Sequence, residues 1–257
     1  MSATEPRVLS GERRDLMLRW LREDGRLRAS EVAQRLDVSL DTVRRDLQEL
    51  ADAGALRRVH GGALPLRAPG PVGFDERGSW QESERESVAA AGAGLLRSGE
   101  VIAVAGGNTI VELARRLPAW FEATMFTTSP NVAAALAEHP GLTVDLAGGR
   151  LHPHARTATG AAALEAMGRV RPDVCVLSAC SLHPAAGLTL RFREEAEVVR
   201  VMIEQAERVI ALLTASKLGT TAPYPVADAA RIHHLVTDAS DEETAPFEAL
   251  GIEVVRA

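Results

Sequence analysis

Arginine and hydroxyl side chains are concentrated between residues 39 and 60 of this 257-residue chain. The adjacent pair Arg44 and Arg45 matters most, because an arginine can donate two hydrogen bonds to a guanine or one to a phosphate. Serine and threonine hydroxyls typically fix a helix against a phosphate backbone. These residue types predict contacts with duplex DNA. The candidate contacts are Ser39, Asp41, Thr42, Arg44, Arg45, Arg57, Arg58 and His60.

A small helical module with a hairpin would position these side chains. Apolar residues recur at helical spacing in three segments, and Ser39 precedes the third of them as an N-cap residue should. The predicted elements are helices at 10–23, 31–36 and 40–53, a strand at 56–60 and a turn at Gly61-Gly62. Together they predict a winged helix-turn-helix domain over residues 1–64, whose third helix enters the major groove.

Taken alone, Arg44 and Arg45 fit better on the solvated face of a helix, paired with acidic neighbours such as Asp41. The capped turn and the adjoining wing favour DNA contact instead. The charge distribution is compatible with this interpretation. Residues 1–64 carry 12 arginines and 11 acidic residues, a net charge of +1, whereas the remainder carries 17 basic and 24 acidic residues, a net charge of −7. An acidic body with a mildly basic head fits a protein that contacts DNA through one module.

Short loops rich in glycine and hydroxyl residues recur along the second half of the chain. Backbone N–H groups at a helix N-terminus attract anions, and ligands of open α/β sheets bind beyond the carboxyl ends of the strands. The candidate contacts for a small effector are Gly106, Gly107, Asn108, Thr109, Thr127, Thr128, Ser129, Gly148, Gly149, Glu195 and Lys217. Each has a structural alternative, since glycine pairs form tight turns and hydroxyl residues cap helices. Glu195 also fits an ordinary helix-face charge, and Lys217, the only lysine, fits a surface residue or a structural ion pair.

Strand and helix patterns alternate from about residue 81 to the end of the chain. The predicted strands are 101–105, 125–128, 143–147, 174–179, 209–214, 234–237 and 253–256. The predicted helices are 83–97, 109–117, 131–138, 159–168, 193–206 and 241–249. This alternation predicts an α/β domain over residues 81–257 with a doubly wound, largely parallel sheet. Residues 65–80, which contain three prolines and three glycines, predict a linker.

The stretch VSLDTVRRDLQELADAGALRRVHGGA resembles the DeoR-type helix-turn-helix signature. That signature has a serine, a Thr-Val/Ile-Arg-Arg-Asp-Leu core and a terminal Arg-Val-His-Gly-Gly-Ala in this order, and the resemblance covers residues 10–64. It implies a sequence-specific regulator, most often a repressor, that binds operator DNA as a homodimer or homotetramer. For the C-terminal half it implies the fold of ribose-5-phosphate isomerases, with a phosphorylated sugar or related metabolite as effector.

The effector loops depart from the family pattern in three places. Gly107 and Asn108 replace the Gly-Thr pair of the family pattern or its neighbours. Thr128 replaces an asparagine of that pattern, and Thr214 replaces an aspartate. These changes alter which phosphates or hydroxyls can be bound, so a regulator without any ligand stays open as an alternative. An isomerase-type enzyme would need a positioned carboxylate base. Residues 178–184 contain no acid and only His183 as a base, which disfavours an enzyme.

Other features of the sequence limit the remaining possibilities. No apolar run approaches the roughly 20 residues of a membrane span, and the first residues do not form a signal peptide. Cys175 and Cys180 are the only cysteines and lie in an apolar stretch, which predicts reduced, buried thiols in a cytoplasmic protein. The histidines lack metal-ligand spacing. We therefore expect no metal, no cofactor and no membrane partner.

Overall fold

The computed structural model describes residues 9–24, 27–59, 61–66, 74–75 and 81–257. His60 and most of the predicted linker at 65–80 lie outside these residues. The N-terminal module, hereafter the head, contains α1 (Ser10–Asp24), β1 (Leu27–Arg28), α2 (Ala29–Leu36), α3 (Leu40–Asp52), β2 (Arg57–Val59) and β3 (Gly62–Leu64). The C-terminal part from Gln81 onward is hereafter the body.

The head is a three-helix unit with an antiparallel three-stranded wing. Its strands have the order β1-β3-β2. The sequence pattern did not predict β1, because a two-residue strand is too short to show an alternation. Gly62 allows β1 to approach, since a Cβ at this position would lie 1.8 Å from the carbonyl oxygen of Leu27.

A buried ion pair fastens α1 to α3 inside the head. Arg13 contacts both carboxylate oxygens of Asp46, at 2.5 and 3.0 Å, and the two side chains are only 12% and 5% exposed. The hydrogen bond to Asp46 raises the pKa of Arg13 above its ordinary value. Apolar side chains from all three helices, including Met17, Val32 and Leu47, pack beneath this pair. The orientation of α3 is thereby fixed by both charge and packing.

The body is built on a parallel sheet with helices on both faces, as predicted. Its helices are α4 (Glu82–Ala93), α5 (Asn108–Arg115), α6 (Pro130–Ala137), α7 (Ala161–Gly168), α8 (Arg193–Gln205) and α9 (Asp241–Glu248). The strands of the sheet are β4 (Val101–Val104), β5 (Ala123–Thr127), β6 (Leu142–Leu146), β9 (Val174–Leu177), β12 (Arg208–Leu212), β14 (His234–Thr237) and β15 (Glu253–Arg256). Their order is β15-β14-β12-β9-β4-β5-β6, with parallel neighbours throughout.

Central strands of this sheet are buried on both faces. In β4, Ile102 and Val104 belong to one core cluster, whereas Ala103 belongs to the cluster on the other face. In β9, Val176 and Leu177 divide in the same way. The central strands β4 and β9 therefore read as continuous apolar runs, and the sequence pattern predicted them together with the other five strands of the sheet.

The remaining strands of the body were not predicted. Strands β7 (Arg150–Leu151) and β8 (Ala158–Thr159) form a short hairpin. Strands β10 (Ser181–His183), β11 (Gly187–Leu190) and β13 (Tyr224–Ala227) form a small antiparallel sheet. The two hairpin strands are too short for an alternation, and β10 and β11 are buried at every position, so that neither inward nor outward residues mark them. Within the described residues, no helix has the length and apolar character that crossing a bilayer requires.

We predict that Arg13→Ala lowers the free energy of unfolding of the head by about 3 kcal/mol, because it leaves the buried Asp46 carboxylate without its main partner. The matched control is Arg14→Ala, which removes a more exposed pair to Glu49 between the same two helices and should cost less than about 1 kcal/mol. Urea unfolding of the full chain, followed by circular dichroism, compares the two variants. Equal losses would contradict the role assigned to the buried pair.

Candidate functional site

The exposed face of α3 carries most of the predicted DNA contacts. Ser39 is its N-cap, because its Oγ accepts a hydrogen bond from the backbone N–H of Thr42 at 3.1 Å. The two hydroxyl groups also lie 2.9 Å apart. Ser39 is exposed and Thr42 is half-buried. Both residues lie at the N-terminal end of α3, which is the end that would enter a groove first.

Arg44 and Arg45 are both exposed on α3. Arg44 donates a hydrogen bond to Asp41 at 3.1 Å, and these side chains are 57% and 85% exposed. Such an exposed pair contributes little to stability, so a phosphate or a guanine can replace the aspartate at low cost.

The wing contributes Arg57 and Arg58, which are exposed on β2. Arg58 donates a hydrogen bond to the Gln48 side chain of α3 and so holds the wing beside the helix. Arg44 and Arg58 line the same groove between α3 and the wing, which has about 710 Å³ of empty space. His60 lies outside the described residues.

A second site lies in the body where the strand order reverses. From β4 the chain proceeds to β5 and β6 on one side, and then returns to β9 on the other side. Ligands of open α/β sheets bind at such a switch point, beyond the carboxyl ends of the strands. The cleft found there has about 540 Å³ of empty space, part of it open to solvent. It is lined by Gln81, Arg85, Gly106, Gly107, Asn108, Thr109, Ala155, Ser178, Ala179, Cys180, Leu190, Glu195, Thr214 and Lys217.

The loop between β4 and α5 requires glycine at two consecutive positions. A Cβ at position 106 would lie 2.3 Å from the methyl group of Thr157, and Gly107 has a φ of +127°. This loop leads directly into α5, whose first N–H groups have no acceptor within the helix. The positive end of a helix dipole therefore meets the cleft.

Two basic side chains and one acidic side chain also line the cleft. The Lys217 Nζ donates to the Ser178 Oγ at 3.1 Å. Arg85 is only 6% exposed, and its burial lowers its pKa, although nearby glutamates such as Glu82 act in the opposite direction. Glu195 lies at the beginning of α8. The cleft thus presents donors and cations for an anion together with one carboxylate.

A small hydrogen-bond network supports the loop after β12. The Oε1 of Gln81 accepts hydrogen bonds from Thr214 at 3.2 Å and from Ser216 at 2.9 Å. The N–H of Ala215 donates to Asp238 at 2.7 Å. These bonds hold the short 3-10 turn that ends at Lys217.

Five of the predicted effector residues do not line the cleft. Ser129 donates from its hydroxyl to the carbonyl of Arg156, and the carbonyl of Thr128 accepts from the N–H of Ala158. A Cβ at Gly149 would lie 2.7 Å from the carbonyl oxygen of Thr159. These contacts hold the β7–β8 hairpin over the end of β5. The five residues are Thr127, Thr128, Ser129, Gly148 and Gly149.

Several cleft residues were missed from the sequence. Ser178 follows β9, so the rule that identified the loop after β4 would have found it. Arg85 gave no usable signal, because it lies between acidic residues and looks like a solvated position on a helix. Cys180 lines the cleft, whereas Cys175 is fully buried and burial raises its pKa to about 12. The missed residues are Gln81, Arg85, Ala155, Ser178, Ala179, Cys180, Leu190 and Thr214.

The described residues include no cluster of three or more metal-ligating side chains. His183, the base considered for an enzyme, is fully buried in β10. Its Nδ1 accepts hydrogen bonds from the N–H groups of Ala185 and Ala186, and it does not line the cleft. Nothing in this arrangement places His183 near a ligand.

Comparison with known families separates the same two parts of the chain. Residues 13–67 match the model of the DeoR-like helix-turn-helix domain, and residues 80–239 match that of the DeoR C-terminal sensor domain. The chain belongs to the DeoR family. It is therefore a DNA-binding transcriptional regulator with a sensor domain, as the sequence predicted. Membership in a family of regulators supports a non-enzymatic role.

Similar proteins extend over most of the chain. The transcriptional repressor GlcR of Bacillus subtilis is 31% identical over 88% of this chain and 88% of its own length. The repressor CsqR of Escherichia coli is 30% identical over 93% and 90%. The regulator GolR of Listeria innocua is 28% identical over 88% and 90%. Among solved structures, the sorbitol operon regulator SorC of Klebsiella pneumoniae aligns over 92% of this chain and 97% of that chain with 12% identity and a TM-score of 0.41, a likeness too distant to bear on function.

We predict that the double variant Arg44→Ala, Arg45→Ala loses specific operator binding at physiological salt, because each arginine supplies a charge-assisted contact to DNA. The loss expected is about 100-fold or more in affinity, which a mobility-shift titration measures. Arg169→Ala, at an exposed ion pair on α7, is the matched control and should bind as the unmodified chain does. Retained specific binding by the double variant would mean that α3 does not read the operator.

Proposed function

We propose that this chain represses transcription by binding operator DNA through α3 and the wing, and that a phosphorylated sugar in the cleft changes this affinity. The observation that carries the proposal is the convergence of the α5 N-terminus, Lys217 and Arg85 on one cleft at the switch point of the sheet. Residues 1–64 act as the DNA-binding domain, 65–80 as the linker and 81–257 as the sensor. The repressor names of the relatives GlcR and CsqR support the sign of regulation.

The phosphate group would lie against the N-terminus of α5. Backbone N–H groups there supply directed donors, and the helix dipole favours negative charge. The Lys217 ammonium group donates to the Ser178 hydroxyl at 3.1 Å, and a phosphate oxygen would accept from it more strongly than that neutral hydroxyl does. Arg85 adds a planar donor set from within the wall of the cleft.

The sugar hydroxyls would face the rest of the lining. The carboxylate of Glu195 can accept hydrogen bonds from sugar hydroxyls, and the hydroxyl groups of Ser178 and Thr214 can both donate and accept them. Asn108 is less available, because its side-chain amide donates to the carbonyl of Phe74 in the linker at 3.2 Å. This contact brings the backbone of Phe74 beside Asn108 at the cleft.

We also propose that the chain acts as a homodimer or homotetramer. Helix-turn-helix proteins bind operators with two-fold symmetry, so that two heads read two half-sites. A ligand then controls repression only to the extent that it binds the DNA-bound and the free arrangements with different affinity.

A panel of sugar phosphates should contain a compound that raises the melting temperature of the full chain. At about 100 times the dissociation constant, binding adds roughly 2.7 kcal/mol, which corresponds to about 5–10 °C for a protein of this size. Lys217→Ala should reduce the shift, because it removes a cation from the phosphate position. Arg169→Ala should retain it. If no compound in a broad panel shifts the melting temperature, the chain regulates without a ligand of this class.

Gly107→Ala should weaken ligand binding as well as stability, because alanine is strained at a φ of +127° and the loop at the α5 N-terminus must then change. Gly99→Ala is the matched control, since Gly99 also has a positive φ, of +90°, but does not line the cleft. Both variants should lose about 1–3 kcal/mol of unfolding free energy. In a titration with the compound identified by thermal shift, only Gly107→Ala should bind more weakly. Equal affinities for both variants would remove this loop from the site.

A further inference from the structure

The two edges of the parallel sheet carry different amounts of charge. At one edge, β15 begins with Glu253 and ends with Arg256, and both side chains are exposed. Arg256 also pairs with Asp241 of α9 at 2.6 Å. Charged side chains on an edge strand keep it from pairing with another chain. The opposite edge is β6, whose only charged residue is Asp145.

The free side of β6 offers backbone groups to a further strand. Among the described strands, β6 pairs only with β5. The N–H of Ala147, just after β6, donates to the carbonyl of Thr127 at 2.8 Å. Backbone groups point to alternate sides along a strand, so those of Val144 and Leu146 point away from β5. A row of outward N–H and C=O groups of this kind is a template for another strand.

Side chains along β6 divide into an apolar and a polar face. Leu142 and Val144 are half-buried and pack into the core cluster that contains the buried residues of α6. Leu146 lies on the same face but is 49% exposed. Helix α6 contains no charged residue, and depletion of charge is typical of the centre of a protein interface. On the other face Thr143 and Asp145 are exposed, and Asp145 forms no ion pair with another described residue.

A second copy of this chain is the partner that fits this edge. Two β6 strands related by a two-fold axis run antiparallel. An axis at Asp145 would place two carboxylates opposite each other, which is destabilising. An axis at Thr143 would place Leu146 opposite Pro140, which has no N–H to donate.

An axis at Val144, the middle residue of β6, avoids both conflicts and pairs all five residues of the strand. Leu142 of each copy then lies opposite Leu146 of the other on the apolar face. Thr143 lies opposite Asp145 on the polar face, where the hydroxyl can donate to the carboxylate. The outward backbone groups of Val144 and Leu146 find partners in the same register.

We propose that two copies of this chain associate by pairing their β6 strands about a two-fold axis at Val144, which joins their two seven-stranded sheets into one. The proposal rests on the homo-oligomer proposed above and names the contact through which it forms. Pairing supplies hydrogen-bond partners to the edge of both strands and removes Leu146 of each copy from water.

Val144→Cys tests the position of the axis. In the proposed register the two introduced cysteines have Cα atoms about 5.5 Å apart, within reach of a disulfide. Leu142→Cys is the matched control, because the same residue of the second copy would lie about 13 Å away along the strands. With oxidised glutathione, the full chain should form covalent dimers on non-reducing electrophoresis for Val144→Cys only. Cys175 and Cys180 are buried, and the unmodified chain measures their contribution. No covalent dimer for Val144→Cys, or equal amounts for both variants, would overturn the proposed register.

Leu146→Arg tests the interface without a cross-link. It places a charge from each copy on the apolar face of the strand pair and should raise the dissociation constant of the dimer about ten-fold or more. Leu250→Arg is the matched control, because Leu250 is also exposed, at 42%, and lies beyond α9. Sedimentation equilibrium of the full chain compares both variants, and circular dichroism checks that both are folded.

The outcomes separate this interface from oligomerisation itself. If the unmodified chain forms dimers and Leu146→Arg forms them equally well, the β6 interface is overturned while the homo-oligomer proposal stands. If the unmodified chain stays monomeric at every concentration, with and without operator DNA, both proposals are overturned.

Discussion

The reversal of strand order between β4 and β9 is the constraint on which the candidate effector cleft depends. The connection after β4 leads to β5 on one side of the sheet, whereas the connection after β9 leads to β12 on the other side. A cleft must remain between them, and every loop that follows a strand ends at its edge. The glycines after β4, Ser178 after β9 and Lys217 after β12 meet there although they are far apart in sequence. The strand order therefore determines which loops, and so which side chains, can meet in this cleft.

The head is a small module that must hold α3 in a fixed orientation. A unit of this size has little apolar core, so the buried pair between Arg13 and Asp46 has a large share in orienting α3. Arg44 faces outward and is paired with the exposed Asp41, so DNA could replace this partner at low cost. Because the mildly basic head is joined to an acidic body, the position of the head relative to the body changes which surface a DNA duplex meets.

The sequence predicted the architecture where burial leaves a regular pattern. The central strands β4 and β9 are apolar at every position, and α3 is marked by Ser39 at its start. The site was predicted only in part. The loops after β4 and β5 each follow a strand and begin a helix, but the β7–β8 hairpin covers Thr128 and leaves Gly107 open. The strands of that hairpin are too short to show a period, so the sequence gives no sign of which loop is covered.

Residues that act through tertiary burial were beyond prediction. Arg85 stands among glutamates on a helix, and the packing of α4 against α5 and the sheet buries it. His183 shows no functional motif, and its complete burial in β10 follows from the elements that pack around it. Which polar side chains are buried depends on which helices and strands pack together. A local sequence pattern does not reveal this packing, because it is a property of the whole fold.

Control of the head by the cleft is tested most directly by the dissociation constant of the full chain for operator DNA, measured with and without a saturating concentration of the ligand found by thermal shift. We expect this constant to change about ten-fold or more, because ligand and DNA bias the same head position. An unchanged constant with the cleft occupied would contradict the claim that the cleft controls the head.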